Sequence, residues 1–363
     1  MIHISKPKAT SVFIFLMTAI FYCSACNNSQ PTTKTKNAAL ARVNPGNKTA
    51  LSHADTGAVK KADTVVVRLP IDTAKYNHLA LHLAHNKVTP KWPVKTPFPL
   101  AGGILPFKRI VAFYGNFYSK RMGILGEIPP EEMLKKLQSE CKQWAKADSL
   151  IPVQPALHYI CVSAQHEPGK AGKYRMRMPF TQIDKTLALA KKINAIVFLD
   201  VQVGQSTLQQ EIPQLEKYLK LDNVHLAIDP EFSMKGGHLP GSRIGNFDAS
   251  EINWVSEYLA KLVRANHLTP KVLIVHRFTM KMVSNYKEIK TRPEVQFVMD
   301  MDGWGFPAKK VDTYEMCVRN NPVQFTGFKL FYKNDIKTKG FNVIMTPKAV
   351  LSLTPSPVYI QYQ

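Results

Sequence analysis

Acidic side chains lie at the ends of three apolar runs in this sequence. Asp200 falls within AIVFLDV, Asp229 and Glu231 follow VHLAI, and Asp300 and Asp302 follow VQFVM. Like charges crowded together away from water raise one another's pKa, so one carboxyl can stay protonated near neutral pH while another is ionised. Two carboxyls in these two states can serve as general acid and as nucleophile or base in glycoside cleavage.

For such a pair to form, the apolar runs must end at one place in the fold. Eight runs of strand length lie beyond residue 107. They are Arg109–Tyr114, Ala156–Ala164, Ala195–Val201, Val224–Asp229, Val272–His276, Val295–Asp300, Phe325–Phe331 and Val358–Tyr362. The sequence therefore predicts eight β-strands.

Stretches with helical periodicity separate most of these runs. We predict helices over Pro130–Ala147, Pro179–Ile193, Leu208–Leu221, Ala249–Asn266, Thr279–Ile289, Lys310–Asn320 and Thr346–Leu353. Plausible caps are Thr181, Ser206 and either Asp248 or Ser250. This alternation over residues 107–363 predicts an α/β fold, a (β/α)8 TIM barrel lacking the final outer helix. The competing open doubly wound sheet is disfavoured because no G-x-G-x-x-G or P-loop follows a strand.

In a barrel, alternate residues of each strand face the axis and the others face the helices. Val224, Leu226 and Ile228 suit the helix-facing side. Asp229 and Glu231 are then left on the axial side. The same argument directs further polar residues toward the axis, namely Asp200, Gln202, His276, Asp300 and Asp302. All five carboxylates are thus expected in one mouth, where barrel enzymes carry their active sites.

The roles of the carboxylates follow from this convergence. Glu231 is the predicted general acid/base, and Asp300 or Asp200 is its predicted partner, while Asp229 and Asp302 tune the pKa values. The sequence thus favours a glycosidase-like hydrolase that cleaves a polar, carbohydrate-containing polymer. A non-catalytic glycan-binding barrel is the alternative from another class.

Loop residues beside the mouth have the side chains that sugar binding requires. Aromatic rings stack on sugar faces, and Asn, Gln, Arg and Lys donate hydrogen bonds to hydroxyl or carboxylate groups. The predicted substrate-binding residues are Tyr114, Asn116, Arg121, Gln202, His276, Arg277, Trp304 and Lys329.

A metal site is the second chemical interpretation of the same residues. No cofactor is expected for the acid/base mechanism, but Asp200, Glu231, His276 and Asp300 are ligands that a divalent cation accepts. A bound cation could activate water against a phosphodiester, so a metal-dependent phosphodiesterase is the third hypothesis.

The N-terminus indicates export. Lys6 and Lys8 precede the apolar run Ser11–Tyr22, which has the length of a signal-peptide core. Small residues then precede Cys26 in a pattern that resembles the bacterial lipobox, whose cysteine is acylated. We therefore predict a lipoprotein signal peptide over residues 1–25 and a lipid anchor on Cys26. The expected location is the cell envelope, on its periplasmic or extracellular face.

Residues 26–106 read as a basic tether rich in Pro, Thr and Lys. The formal net charge of the whole chain is +22, and an exported chain meets anionic lipid or wall polymer rather than nucleic acid. The expected partners are therefore a polysaccharide or other polar envelope substrate, and the membrane through the lipid. Part of the segment, near Leu79–Leu83, could cover the gap left by the absent barrel helix.

The stretches VHLAIDPEFSMKGG, KVLIVHRFT and FVMDMDGWG resemble a group of secreted or lipid-anchored bacterial proteins with a barrel domain. This resemblance covers most of residues 107–363 and implies the barrel fold without a particular activity. The strand-end carboxylates are also broadly similar to those of glycoside-hydrolase barrels. That family commonly has glutamates after strands four and seven. Glu231 follows strand four here, whereas strand seven ends in Lys329 and Lys333, so Asp200 or Asp300 takes the partner's role in our hypothesis.

Overall fold

The computed structural model describes residues 69–338, 340 and 342–363. The predicted signal peptide, Cys26 and the first part of the predicted tether lie outside the described residues. In the part of the chain that is described, no helix has both the length and the apolar character needed to cross a bilayer.

Eight parallel strands form a closed barrel. Their bounds are β1 (Arg109–Gly115), β2 (Val153–Ala164), β3 (Ile196–Val201), β4 (Val224–Ile228), β5 (Lys271–Arg277), β6 (Val295–Met301), β7 (Phe325–Leu330) and β8 (Tyr359–Tyr362). Each strand pairs with the next one along the barrel, and β1 closes it by pairing with both β2 and β8. All eight predicted strands are confirmed, and so is the TIM-barrel fold. No helix follows β8 among the described residues.

The predicted alternation of strand residues is also confirmed. Val224, Leu226 and Ile228 belong to the outer apolar layer between sheet and helices. Ala227 lies between them in sequence and belongs to a separate cluster inside the barrel. Side chains with the parity of Ala227 therefore face the barrel axis, which places Asp229 on the same side.

The described part of the chain contains nine α-helices. They are α1 (Thr73–Leu83), α2 (Ile124–Glu127), α3 (Pro130–Ala147), α4 (Phe180–Lys191), α5 (Leu208–Glu211), α6 (Glu216–Leu219), α7 (Ala249–Ala265), α8 (Pro307–Tyr314) and α9 (Pro347–Leu351). Asp248 caps α7 in a capping box with Glu251, as the sequence suggested. At the start of α5 the cap is Thr207 and not Ser206, and Pro179 precedes α4 in place of a Thr181 cap.

Two predicted helices are corrected by the structure. The segment predicted as Leu208–Leu221 breaks into α5, a 3-10 turn and α6, since Pro213 lies inside it and cannot donate to the helical ladder. The predicted helix Thr279–Ile289 is wrong. Its residues form two 3-10 turns and the short strand Val283–Ser284, and Asn285 adopts a left-handed φ of 54° that ends any right-handed helix.

Residues 69–106 belong to the folded domain, so the prediction of a tether up to residue 106 is wrong for this part. Asp72 caps α1, and Tyr76, Leu79 and Leu83 are buried. These three side chains cluster with axis-facing residues at the amino ends of the strands, such as Ile110. The helix thus closes the bottom of the barrel instead of the gap beside β8.

Side chains of helix α3 contact β8 on the outer side of the barrel. Trp144 has no exposed surface, and its indole Nε1 donates to the hydroxyl of Tyr362 over 3.0 Å. The ring of Tyr332 stacks on Tyr362 with centroids 5.1 Å apart, and its hydroxyl donates to Glu140 of α3. Aromatic side chains therefore pack between α3 and β8 on the outer side of the barrel.

Truncating Trp144 should destabilise the barrel strongly. We expect Trp144→Ala to lower the free energy of unfolding by about 3–5 kcal/mol, because it opens a cavity and leaves the Tyr362 hydroxyl without its donor. Urea denaturation measures the change. Trp304→Ala is the control, since Trp304 is 48% exposed and its removal should change stability by no more than about 0.5 kcal/mol. Equal effects of the two variants would contradict the packing described for α3.

Candidate active site

The carboxyl ends of the strands bring polar side chains together in the barrel mouth. Each of the eight strands contributes one residue to this set, and for β4 that residue directly follows the strand. The set is Tyr114, His158, Asp200, Asp229, His276, Asp300, Lys329 and Gln361. Every one of these side chains is at least nine-tenths buried. The predicted convergence is therefore present, and it includes residues that the sequence analysis did not select.

His276 is the centre of the network. Its Nδ1 donates to Asp300 Oδ2 over 3.1 Å and lies 3.4 Å from Asp302 Oδ2, and its Nε2 lies 3.5 Å from Asp200 Oδ2. Burial lowers the pKa of His276, but the carboxylates of Asp302, Asp200 and Asp300 outweigh it and hold the pKa well above its ordinary value. The imidazole of His276 thus bridges Asp200 of β3 and the two aspartates at the end of β6, Asp300 and Asp302.

His158 is one of the mouth residues that the sequence analysis did not select. Its Nε2 lies 3.3 Å from Asp200 Oδ2, and its Nδ1 lies 2.6 Å from the hydroxyl of Tyr359. Burial lowers the pKa of His158 to about 4, so the ring is neutral at pH 7. The signal that could have found it is parity, because His158 lies two residues after Ala156 and so shares its face, which is the barrel interior.

Asp200 and Asp300 form the floor of the mouth. Neither side chain has exposed surface. Burial raises the pKa of Asp200, but the adjacent imidazoles of His158 and His276 bring it below the ordinary value. Burial raises the pKa of Asp300. Because neither carboxyl reaches solvent, direct contact with a polymer is unfavourable for both, which argues against their predicted role as the catalytic partner.

Gly327 of β7 makes room for this floor. A Cβ at this position would lie 2.5 Å from Asp300 Oδ1 and 3.0 Å from Tyr359 Cδ1. Both distances are well below ordinary contact, so a larger residue would displace the carboxyl or the ring.

Three further charged groups lie above the floor. Asp302 keeps 8% of its side chain exposed and accepts from Lys329 Nζ over 2.8 Å. Glu231 is partly exposed and follows Pro230 in a 3-10 turn that Asp229 caps by accepting from the Glu231 N–H over 3.0 Å. The sequence Asp-Pro-Glu therefore fixes the position of Glu231 at the mouth.

The two carboxyls after β4 are the ones with strongly raised pKa values. Burial raises the pKa of Asp229 to about 7; the charge of His276 opposes this rise, and the carboxylates of Asp200 and Asp302 add to it. Burial raises the pKa of Glu231 to about 8, reinforced by Asp229 and Asp302. At neutral pH, Glu231 therefore carries a proton that it can donate.

The other predicted substrate-binding residues divide into three groups, of which two lie in or beside the mouth. Tyr114 and Gln202 are buried together in the mouth, where Gln202 donates to the Tyr114 hydroxyl over 3.2 Å. Trp304 and Arg121 are exposed. Exposed aromatic and cationic side chains of this kind remain free to meet a ligand.

Two predicted ligand-binding residues have structural roles instead. The side chain of Asn116 is buried and donates to the carbonyl of Ile160 over 2.8 Å. The guanidinium of Arg277 donates to the carbonyls of Thr279 and Met280 over 3.3 and 2.9 Å. These backbone contacts occupy both side chains, so neither is placed to hold substrate.

A separate, small apolar cavity of about 20 Å³ lies at the opposite end of the barrel, beside α1. Its lining includes Tyr76, Trp92, Phe325 and Val358. None of the mouth carboxylates lines this cavity. It is a gap in the apolar packing between α1 and the barrel.

No family model matches the chain, and no curated protein matches it. Of what the resemblance to bacterial barrel proteins implied, the structure supports the fold. The chemistry of the mouth must therefore be argued from its own residues.

The raised pKa of Asp229 makes stability depend on pH. Between about pH 4 and its native pKa of about 7, the folded protein binds more protons at Asp229 than the unfolded chain, so stability falls as pH rises. Asp229→Asn removes this titration and keeps an acceptor for the Glu231 N–H. We expect the variant to melt close to the wild type at pH 4 and at a higher temperature at pH 8.

Thermal melts at the two pH values test this expectation. Asp312→Asn is the control, since Asp312 is exposed on α8 and its replacement should leave the difference between pH 4 and pH 8 as in the wild type. A melting temperature of Asp229→Asn that falls below the wild type at pH 8 would be inconsistent with a destabilising carboxylate.

Proposed function

We propose that this protein is a hydrolase of the cell envelope that cleaves a polar, carbohydrate-containing polymer by acid/base catalysis. The observation that carries the proposal is the pairing of two accessible carboxyls in unlike environments. Glu231 has its pKa raised by burial and by neighbouring acids, whereas Asp302 accepts a hydrogen bond from Lys329. One carboxyl therefore holds a proton while a cation stabilises the charge of the other.

The two carboxyls take different roles in the proposed reaction. Glu231 donates its proton to the leaving oxygen as general acid. Asp302 acts as nucleophile, or as the base that activates water, in place of Asp300 or Asp200. His276, 3.4 Å from Asp302, and Lys329 hold this carboxylate in position.

Carbohydrate is the proposed substrate class because exposed aromatic rings occupy loops after two strands. Tyr118, after β1, is 59% exposed, and Trp304, after β6, is 48% exposed. Planar rings of this kind stack on the apolar faces of sugars. Arg121 adds an exposed cation beside Tyr118, which suits a polymer with carboxylate groups.

The envelope location rests on the N-terminal sequence. Acylation of Cys26 would anchor the chain to the membrane through lipid. Labelling of expressed protein with a radioactive or clickable fatty acid tests this part of the proposal, with Cys26→Ser as the variant that should lose the label.

Hydrolysis is tested by incubating the protein with a panel of neutral and acidic polysaccharides and measuring new reducing ends. Product formation by the wild type, lost in Glu231→Gln, supports the proposal. Binding of oligosaccharides without product over long incubation would favour the non-catalytic glycan-binding alternative. A phosphodiester substrate in the same panel covers the third hypothesis, which the two imidazoles beside Asp200 favour.

A further inference from the structure

Three potential metal-binding atoms meet at the floor of the mouth. The Nε2 atoms of His158 and His276 lie 3.3 and 3.5 Å from Oδ2 of Asp200. All three side chains have no exposed surface. Neither of these nitrogens and neither oxygen of Asp200 forms a hydrogen bond, although each is a strong polar group. Buried polar atoms without partners are rare, so this convergence requires an explanation.

Two of the three separations among these atoms match those of ligands around a common centre, and all three atoms lie within 4.8 Å of one another. Zn²⁺ is held at about 2.0–2.2 Å by imidazole nitrogen and carboxylate oxygen, so tetrahedral ligands around it lie about 3.3–3.5 Å apart. The two separations from Asp200 fall in this range. Neither contact has hydrogen-bond geometry, which leaves these atoms available to a cation placed between them.

The opposite nitrogen of each imidazole is fixed by a second contact. Nδ1 of His276 donates to Asp300 Oδ2 over 3.1 Å. Nδ1 of His158 lies 2.6 Å from the hydroxyl of Tyr359 and 3.0 Å from the amide nitrogen of Gln361. Of these two neighbours, only the hydroxyl can accept the ring proton, since the amide nitrogen is itself a donor. Metal-binding histidines characteristically donate their other ring N–H in this way, since the contact sets the tautomer and the ring orientation.

The charge of the mouth also favours a cation. Asp200, Asp300 and Asp302 all lie within 3.5 Å of His276, and Lys329 pairs with Asp302 alone among them. A divalent cation beside Asp200 would offset this concentration of negative charge.

We propose that His158, Asp200 and His276 form a binding site for one divalent transition-metal cation of the Zn²⁺ class. Two imidazoles and one carboxylate suit Zn²⁺ better than Mg²⁺ or Ca²⁺, which prefer oxygen ligands. Asp300 supports His276 from outside the ligand set, and Glu231 stays free for acid catalysis. When bound, such a cation supplies positive charge and can polarise a water molecule or a substrate oxygen.

The test begins with the metal content of the full chain. Protein purified without chelator should contain close to one equivalent of a transition metal by mass spectrometry. After removal of the metal, isothermal titration with Zn²⁺ should show one site, and Zn²⁺ should raise the melting temperature. Co²⁺ in the same site should give the visible absorption of a cation with nitrogen and oxygen ligands. Absence of both the metal and the Zn²⁺-dependent stabilisation would overturn the proposal.

Variants locate the site. Asp200→Asn and His158→Gln should weaken Zn²⁺ binding by more than about 100-fold, and Asp300→Asn by about 10–100-fold, the range seen for groups that orient a ligand. His225→Gln is the matched control, because His225 is an equally buried histidine inside the barrel whose Nδ1 accepts from the Val272 N–H. Its Zn²⁺ affinity should equal that of the wild type. Wild-type affinity in folded Asp200→Asn would also overturn the proposal.

Such a cation would serve the proposed hydrolase whatever bond that enzyme cleaves, and its binding is measured without substrate. The two proposals can therefore fail separately. Stoichiometric Zn²⁺ binding without turnover on any substrate would contradict the hydrolase and leave the metal site intact. Full turnover by protein that binds no metal would contradict the metal site and leave the acid/base pair intact.

Discussion

Replacing Glu231 by Gln should lower the turnover number of the proposed hydrolase by about 10²–10⁴-fold, the usual contribution of general acid catalysis. Gln has nearly the same shape and leaves the main-chain hydrogen bond to Asp229 in place. It carries no acidic proton, so the leaving group would depart unprotonated. Initial rates of reducing-end release measure the change, and thermal melts show that the variant is folded.

The pH profile distinguishes this acid role from a structural role. The pKa of Glu231 is raised to about 8, and a general acid acts only when protonated, so kcat/KM should fall as pH rises through about 8. Asp229 is one of the carboxyls that raise this pKa. Asp229→Asn should therefore lower the pKa of Glu231 and move the descending limb to lower pH.

Glu167→Gln is the control for both measurements, because Glu167 is an exposed carboxyl after β2. Its rate and its pH profile should be those of the wild type. Wild-type turnover in Glu231→Gln, or a descending limb that stays in place in Asp229→Asn, would contradict the assignment of Glu231 as the acid.

The barrel could be predicted because buried parallel strands leave a simple pattern. Strands covered on both faces appear as continuous apolar runs of fixed length, and all eight were found. Parity then placed Asp200, Asp229 and Asp300 in one mouth, since alternation along a strand follows from backbone geometry alone. These parts of the site depend on local sequence and on a closed sheet, and on nothing further.

The rest of the fold depends on contacts that a local pattern does not contain. Segment 69–106 is rich in proline and short of periodicity, and its structure comes from packing α1 against the interior of a barrel that is formed by later residues. The segment Thr279–Ile289 has apolar residues at helical spacing. Its backbone conformation is set instead by the hydrogen bonds of Arg277 to carbonyls of the segment and by the strand pairing of Val283 with Phe247. Tertiary contacts decided both outcomes.

His158 shows why the site was only partly predicted. Its neighbours in the run ALHYICVSA are apolar, and a single polar residue within such a strand is usually interpreted as part of the hydrophobic core. The polar residues at strand ends drew attention because loops commonly carry function. One layer below these strand ends, Tyr359 and Gln361 of β8 contact the imidazole of His158. A parity argument applied along every strand would have included all three.

Lys329→Met should reduce the free energy of unfolding by about 3–5 kcal/mol, the cost of removing one partner from a buried ion pair. Lys329 has 3% of its side chain exposed, its Nζ lies 2.8 Å from Asp302 Oδ1, and it sits 3.8 Å from the centre of the Tyr114 ring. Met keeps the apolar stem and removes the charge. Asp302 would then face the other mouth carboxylates without its cation.

A double-mutant cycle in urea decides whether the lost charge is the cause. Asp302→Asn combined with Lys329→Met should recover much of the stability, because the uncompensated carboxylate is gone. Lys333→Met is the matched control: its ammonium pairs with Glu127 at the surface with 67% exposure, so the loss should be below about 1 kcal/mol. If the double variant were no more stable than Lys329→Met, the role of Lys329 would lie in its contact with the Tyr114 ring, and the charge of Asp302 would need a different stabilising cation. Metal measurements on Lys329→Met, which keeps the Asp302 carboxylate, would then show whether the site formed by His158, Asp200 and His276 supplies it.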